Sequence, residues 1–386
     1  MISINKNLLP LALGTFGLGM SEFVMMGILP DIANSMNVTI PIAGHFISIY
    51  AIGVIFGAIS MAFLSKNQPL KNLLLGLIVV YTIGNLLTSV AMNYEIMNVA
   101  RFIAGIPHGS FFGIGVVAIK QMAEKGHDGR DVAFMVAGMT IANLIGIPLA
   151  TFLSHLTSWR IIYLFVGILG LVIFIAIMKW LPKFEPMPYT DFRGQFKFLK
   201  SLAPWLLLIA ITMGNSALFC ELSYINPLLT EVAKFPYKYM SVLMFISGLG
   251  MYCGNLCAGK LSDKYTPAKV SEYTQLTSFV ALLLFFFFAK IQIVAVILVF
   301  VCSFCLFALS APQQILIVEV SKGGEVLGSS LAPLAFTLGN AIGAIAGGLP
   351  IENGLDYNFA PLVGSGFALV GFLLLKYFRK ISTLHK

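Results

Sequence analysis

The chain has 386 residues, of which 58% are hydrophobic and only 10% charged, and its formal net charge is +8. A water-soluble globular chain carries about a quarter charged residues, so this composition excludes a soluble catalytic or nucleic-acid-binding domain and places the chain in lipid. The five cysteines (Cys220, Cys253, Cys257, Cys302 and Cys305) all fall in apolar runs, which argues against a disulfide framework or a zinc knuckle.

A bilayer core about 30 Å thick needs roughly 20 apolar residues of helix, and lipid tolerates no unsatisfied backbone. Twelve runs meet that requirement: 8–30, 42–64, 72–92, 96–119, 132–154, 160–181, 203–226, 239–259, 269–289, 293–316, 326–350 and 359–379. The first is too long for a signal-peptide core and is expected to be retained. Trp159 and Trp180 bracket the sixth, 21 residues apart, which at 1.5 Å per residue is roughly 31 Å, the separation of two interfacial belts. The ninth and tenth are separated only by Lys290 and Gln292, and the ninth opens with the polar residues Ser271, Glu272, Thr274 and Gln275. Placing the N-terminus inside puts 19 of the 24 Lys and Arg residues on the inner side, so both termini are expected in the cytoplasm. The positive charge then reads as topology, and no nucleic-acid partner is expected.

The long inner loop divides the spans six and six. Sliding the chain on itself by 197 residues pairs Thr15 with Thr212, Pro30 with Pro227, Gly53 with Gly250, Gly57 with Gly254, Asn143 with Asn340 and Gly146 with Gly343. Six spans is an even number, so the copies share one orientation. The expected fold is therefore an all-α membrane protein of twelve transmembrane helices in two parallel six-helix repeats. Residues 1–181 and 203–386 form the bundles, and 182–202 the cytoplasmic linker. The small-xxx-small pairs Gly53/Gly57 and Gly250/Gly254, with Gly339, Gly343 and Gly347, fit either ordinary helix packing or a seam along which two halves rock.

Several motifs together resemble the major facilitator superfamily of secondary transporters over the whole chain. The stretch Gly259-Lys260-Leu261-Ser262-Asp263-Lys264 is similar to that family's inner-loop signature, Arg101-Phe102-Ile103-Ala104-Gly105 to its span-four element, and Gly138, Asn143, Gly146 and Pro148 to its antiporter motif. With Ser21-Glu22-Phe23-Val24, Gly27-Ile28-Leu29-Pro30, Gly105-Ile106-Pro107-His108-Gly109 and Trp159-Arg160, the pattern resembles the sugar-efflux and nucleoside-efflux (arabinose efflux permease type) branch of the twelve-span drug:proton antiporters. The resemblance implies gating roles for Gly259, Asp263, Lys264, Gly138, Gly146 and Pro148. One departure stands out: the first copy of the loop signature reads Ala62-Phe63-Leu64-Ser65-Lys66-Asn67, with Lys66 where an aspartate would join a cytoplasmic ionic latch.

An ionisable group at bilayer depth costs a few kcal/mol on insertion scales and needs a reason to be there. Glu22, Arg101 and Glu221 fall in the outer halves of spans one, four and seven, and His108 near the middle of span four. The resemblance implies that spans one, four, seven and ten line a central cavity. Burial favours the neutral carboxyl and a nearby guanidinium favours its ion, so Glu22 tuned by Arg101 is expected to load and release a proton. A static ion pair is the structural alternative. Glu221, two residues from the repeat counterpart of Glu22, fits a second proton site, a substrate contact or packing. His108 fits a titrating group or a ring bonded between helices.

Amides supply both donors and acceptors, so Asn143, Asn215, Asn226, Gln313, Gln314 and Asn340 form the candidate substrate-binding set. No nucleophile elbow, phosphate loop or paired catalytic carboxylates appear, so no enzyme activity, cofactor or metal is expected. The reading is a multi-pass transporter of the bacterial inner membrane. It works by alternating access, is expected to be monomeric, and exchanges a small polar or amphipathic solute such as a sugar, nucleoside or drug for protons. The alternatives are an uncoupled facilitator, a proton symporter for a sugar, nucleoside or nucleobase, and a transporter-like sensor.

Overall fold

The computed structural model describes residues 6–64, 68–122, 128–184, 196–322 and 325–384. Lys66 and most of the linker lie outside the described residues, as does the side chain of Asp263. Among the described residues, twelve helical spans are long and apolar enough to cross a membrane.

The chain forms two compact units, one comprising Met1–Val38 with Ile49–Thr190 and the other Thr39–Ser48 with Asp191–Lys386. The helices of the first half are α1 (Leu9–Gly27), α2 (Leu29–Met36), α3 (Ile40–Leu64), α4 (Leu70–Val90), α5 (Tyr94–Met122), α6 (Asp128–Ile141), α7 (Ile147–Leu156) and α8 (Trp159–Trp180). Those of the second half are α9 (Leu202–Leu222), α10 (Met240–Lys264), α11 (Pro267–Phe288), α12 (Gln292–Val320), α13 (Glu325–Glu352) and α14 (Phe359–Leu384).

The helix boundaries follow from local chemistry. The first span does not run unbroken to residue 30: α1 stops at Gly27 and the chain restarts at Leu29 with Pro30 in the first turn, where its missing N–H costs nothing. The second half repeats the device, with α9 ending at Leu222 and a short Ile225–Pro227 turn carrying Pro227, 197 residues after Pro30. The fifth span is α6 and α7 joined by a π turn, Ala142–Gly146. Pro148 lies just beyond that turn and has no N–H to give the carbonyl one turn back, which suits a local widening of the helix. Spans four and ten overrun the bilayer minimum at 29 residues each.

Helices α4 and α8 fix each other's ends. Arg160 donates to the Ser89 and Ala91 carbonyls at the end of α4 (3.1 and 2.6 Å), and Lys71 donates to the Met178 and Leu181 carbonyls at the end of α8 (2.9 and 2.5 Å). Both place a cation on the negative end of a helix dipole. Trp159 is buried beneath Arg160, whose guanidinium carbon lies 4.3 Å from the ring, so of the two tryptophans only Trp180 is exposed as an interfacial residue would be.

The glycine pairs pack inside their own units, as the ordinary-packing alternative expects. A Cβ at Gly53 or Gly57 would strike the carbonyls of Phe102 and Ile106 on α5, and one at Gly250 or Gly254 those of Phe300 and Phe304 on α12. Gly339, Gly343 and Gly347 of α13 meet α9 in the same way, at the carbonyls of Thr212, Ser216 and Cys220. The obstructing atoms are backbone and cannot rotate aside. Gly57→Leu is therefore expected to destabilise the protein by about 3 kcal/mol. Gly76→Leu, where a Cβ meets nothing within 4 Å, should be near neutral, and thermal melts of the two purified variants compare them directly.

Candidate functional site

Three ionisable residues of the first unit, Glu22, Arg101 and His108, gather around one tyrosine. Helix α1 carries Ser21 and Glu22, α3 carries Tyr50, and α5 carries Arg101 and His108, seven residues apart and so on one helix face. All are buried, Arg101 completely and Tyr50 to 1% exposure. Backbones approach closely enough for this because Gly105 of α5 sits against the Tyr50 carbonyl, and Gly84 of α4 against the Ala104 backbone.

Arg101 donates from Nη1 to the Ser21 carbonyl at 2.8 Å. Its guanidinium carbon stands 4.3 Å from the centre of the Tyr50 ring and 5.7 Å from that of Tyr163 on α8. A desolvated cation over aromatic faces gains about 2 kcal/mol, and a hydrogen bond to a charged donor about 1.5–3, which together offset the cost of the buried charge. Glu22 faces His108, with Oε2 3.5 Å from Nδ1. The Tyr50 hydroxyl lies 3.0 Å from the same nitrogen, and the His108 ring stacks on Phe112 with centroids 5.6 Å apart. Helix α4 holds α1 in register: Ser21 donates to Asn85, Asn85 to the Tyr81 carbonyl, and the Tyr81 hydroxyl to the Gly17 carbonyl, at 2.8, 2.8 and 2.9 Å.

Three of the four expected proton-coupling residues, Glu22, Arg101 and His108, thus share one cluster. Tyr50, Tyr163 and Asn85 belong to it without having been singled out from sequence. Asn85, a carboxamide within an otherwise apolar span, offered a signal; a tyrosine in an apolar helix reads as packing until its neighbours are known. Glu221 is in the other unit, 1% exposed, and its Oε1 has no hydrogen-bond partner among the described residues.

The antiporter-motif residues shape the wall beside α1. A Cβ on Gly138 would strike the Ala12 carbonyl and Thr15 Oγ1, and one on Gly146 would strike Met20. Asn143 sits in the π turn, 2% exposed, with neither amide atom bonded among the described residues. Of the other amides, Gln313 is fully buried with both amide atoms unbonded among the described residues, whereas Asn215 donates to the Ile211 carbonyl of its own helix at 3.1 Å. Asn215 also packs where a Cβ on Gly339, next to Asn340, would fall. Asn226 is buried beside Pro227, and Gln314 is half-buried on α12. At the end of α10, Gly259 faces open space and Lys264 reaches over the Tyr265 ring at 5.4 Å.

Thr15 and Thr212, one repeat apart, bond to corresponding helices with acceptors three residues out of exact register: Thr15 donates to the Met135 carbonyl of α6, and Thr212 to the Ala335 carbonyl of α13 at 3.3 Å. The duplication read from sequence is therefore also present in the hydrogen bonding.

Comparison with known proteins places this architecture. The family model described as Major Facilitator Superfamily matches residues 11–332. The chain is 40% identical over 374 residues to a protein named AraJ of Escherichia coli, covering 96% of this chain and 95% of that one. It is 33% identical to the inner membrane transport protein YdhP of Escherichia coli, covering 97% and 96%, and 26% identical to a chloramphenicol resistance protein of Streptomyces lividans, also covering 97% and 96%. Among solved structures, a variant of the nucleoside transporter NupG superposes with a TM-score of 0.77 at 14% identity, over 96% of this chain and 98% of that one. Twelve apolar spans among the described residues, two repeated bundles, a family match over residues 11–332 and inner-membrane relatives agree that the chain belongs to the major facilitator superfamily, as a multi-pass transporter of the bacterial inner membrane and not an enzyme.

Proposed function

We propose that the protein exports a small polar or amphipathic solute in exchange for protons, by alternating access. The observation that carries this reading is the buried carboxylate of Glu22 facing His108 at 3.5 Å, with Arg101 bonded to the neighbouring carbonyl. A carboxyl and an imidazole sharing one desolvated site change charge when a proton enters, and an intramembrane ionisable pair of this kind is the ordinary signature of a proton relay. The efflux direction draws its support from a Helicobacter pylori relative whose name is that of a sugar efflux transporter, 22% identical over 95% of this chain and 93% of that one. In this reading both termini are cytoplasmic, residues 182–202 link the two bundles, and the protein acts as a monomer.

Asn143 and Gln313 supply the main solute contacts, since each is a buried amide with hydrogen-bonding capacity to spare. Asn215, Asn226, Gln314 and Asn340 are the further amides assigned to solute binding, and Glu221 is a second acid for either a proton or a polar solute. Gly138, Gly146, Pro148, Gly259, Asp263 and Lys264 serve the gates.

The direct test uses purified protein in liposomes loaded with a pH-sensitive dye and screened against sugars, nucleosides and chloramphenicol. Solute added to one side should drive protons the opposite way. Transport of every active solute without proton movement would replace the antiporter with an uncoupled facilitator, and co-directional proton movement would make it a symporter. Within the same assay, Asn143→Ala and Gln313→Ala are each expected to raise the half-saturating solute concentration roughly 10-fold, the effect of one lost hydrogen bond to a buried group.

A further inference from the structure

Two groups compete for one nitrogen in this site. His108 Nδ1 stands 3.0 Å from the Tyr50 hydroxyl and 3.5 Å from Glu22 Oε2. A ring nitrogen holds either a lone pair or a proton. With a lone pair, Nδ1 accepts from the Tyr50 hydroxyl and has nothing to donate to an ionised Glu22. With a proton, it donates to Glu22, and the Tyr50 hydroxyl must turn its own proton elsewhere.

Tyr50 has little freedom to withdraw. It is 1% exposed, its ring lies beneath the Arg101 guanidinium at 4.3 Å, and it meets the imidazole edge-on, with centroids 6.0 Å apart and planes at 81°. The nitrogen itself faces Glu22 from α1 and Tyr50 from α3, and the charged and titratable groups around Tyr50 are Glu22, His108 and Arg101 of α5, Tyr81 of α4 and Tyr163 of α8. Helix α6 carries Asp128, Arg130 and Asp131 at its start, and even the last of them is remote. Gly115 meets Met135, so counting residues along the two helices puts Asp131 roughly 16 Å from the level of His108.

We propose that Tyr50 is a positioning residue for proton exchange, whose hydroxyl holds neutral His108 as the Nε2–H tautomer until an incoming proton takes its place on Nδ1. The incoming proton comes from hydronium, whose O–H bond breaks to leave water as the Nδ1–H bond forms. The Tyr50 O–H···N hydrogen bond is released, Tyr50 keeps its own proton, Glu22 gains a donor, and no electrons are transferred. Because the same tyrosine carries Arg101 on its ring, the exchange on Nδ1 is linked mechanically to the cation bonded to α1. The inference deepens the proposed function and rests on Glu22 and His108 being the proton site.

The test is nitrogen NMR of the full-length protein in lipid nanodiscs, with 15N-labelled histidine and the His108 signals assigned by their loss in His108→Gln. Neutral His108 is expected with Nδ1 unprotonated and Nε2 protonated. In Tyr50→Phe, which keeps the ring beneath Arg101, that tautomer preference should weaken and the His108 titration midpoint should rise by about half to one pH unit, the worth of one hydrogen bond to the unprotonated nitrogen. A neutral wild-type His108 carrying its proton on Nδ1 would overturn the proposal, and this reading does not depend on the variant folding. So would an unmoved midpoint in Tyr50→Phe, including one accompanied by a lower melting temperature, since that is what a purely structural role predicts. If the tautomer and shift are found but liposome transport ignores pH, the hydrogen-bond exchange stands and the proton-coupling reading falls.

Discussion

Glu22→Gln is expected to move solute down its gradient and to lose all accumulation driven by protons. The substitution keeps the shape of the side chain and its hydrogen bonding but cannot take up or release a proton. A pH difference of two units stores about 2.7 kcal/mol per proton, enough for roughly a 100-fold solute ratio at one proton per solute. The wild type in liposomes should approach that ratio, whereas Glu22→Gln should settle near 1, with solute counterflow within about threefold of wild type. Glu22→Asp keeps a carboxyl and should retain coupling at a lower rate. A Glu22→Gln protein that still concentrates its solute would move the proton site elsewhere. Glu221→Gln would then be the next variant to assay, because Glu221 is a buried acid of the second unit whose Oε1 has no hydrogen-bond partner among the described residues.

The spans were legible because lipid leaves so little choice: a segment without about 20 apolar residues cannot cross, and Lys290 breaks the Phe279–Leu309 run at the place where α11 ends and α12 begins. The ends were less legible, since a helix continues past the bilayer for as long as its backbone stays bonded, as α5 and α12 do. Glu22, Arg101 and His108 stood out because charge in an apolar run demands a partner. Tyr50 did not, because its role depends on how α3 is rotated against α5, and that rotation is set by Gly53 and Gly57 meeting backbone carbonyls. The glycine spacing itself was readable, but not which helix each glycine packs against. Spacing records that two backbones come close without naming the second one.

Arg101 separates a tuning role from a packing role, and the two predict different arithmetic. Its bond to the Ser21 carbonyl and its place over the Tyr50 and Tyr163 rings are contacts to neutral groups, which alone would make it a clamp between α5 and α1. Arg101→Lys keeps the charge but loses the planar stack, and Arg101→Ala loses both, so melting temperatures should fall in that order. From the lost hydrogen bond and cation–π contacts, Arg101→Ala is expected to cost about 3–4 kcal/mol. If Arg101 acts only as a clamp, that cost is the same whether residue 22 is Glu or Gln, and the two substitutions add to within about 0.5 kcal/mol. If the guanidinium also supports the ionised form of Glu22 through the low-dielectric interior, removing the acid relieves part of the penalty. The Glu22→Gln/Arg101→Ala double variant then recovers about 1–2 kcal/mol relative to the sum. The expected result is that recovery, largest at high pH where Glu22 is ionised and vanishing at low pH where it is neutral. Strict additivity across the pH range would reduce Arg101 to a structural clamp and leave His108 as the group that governs the proton on Glu22.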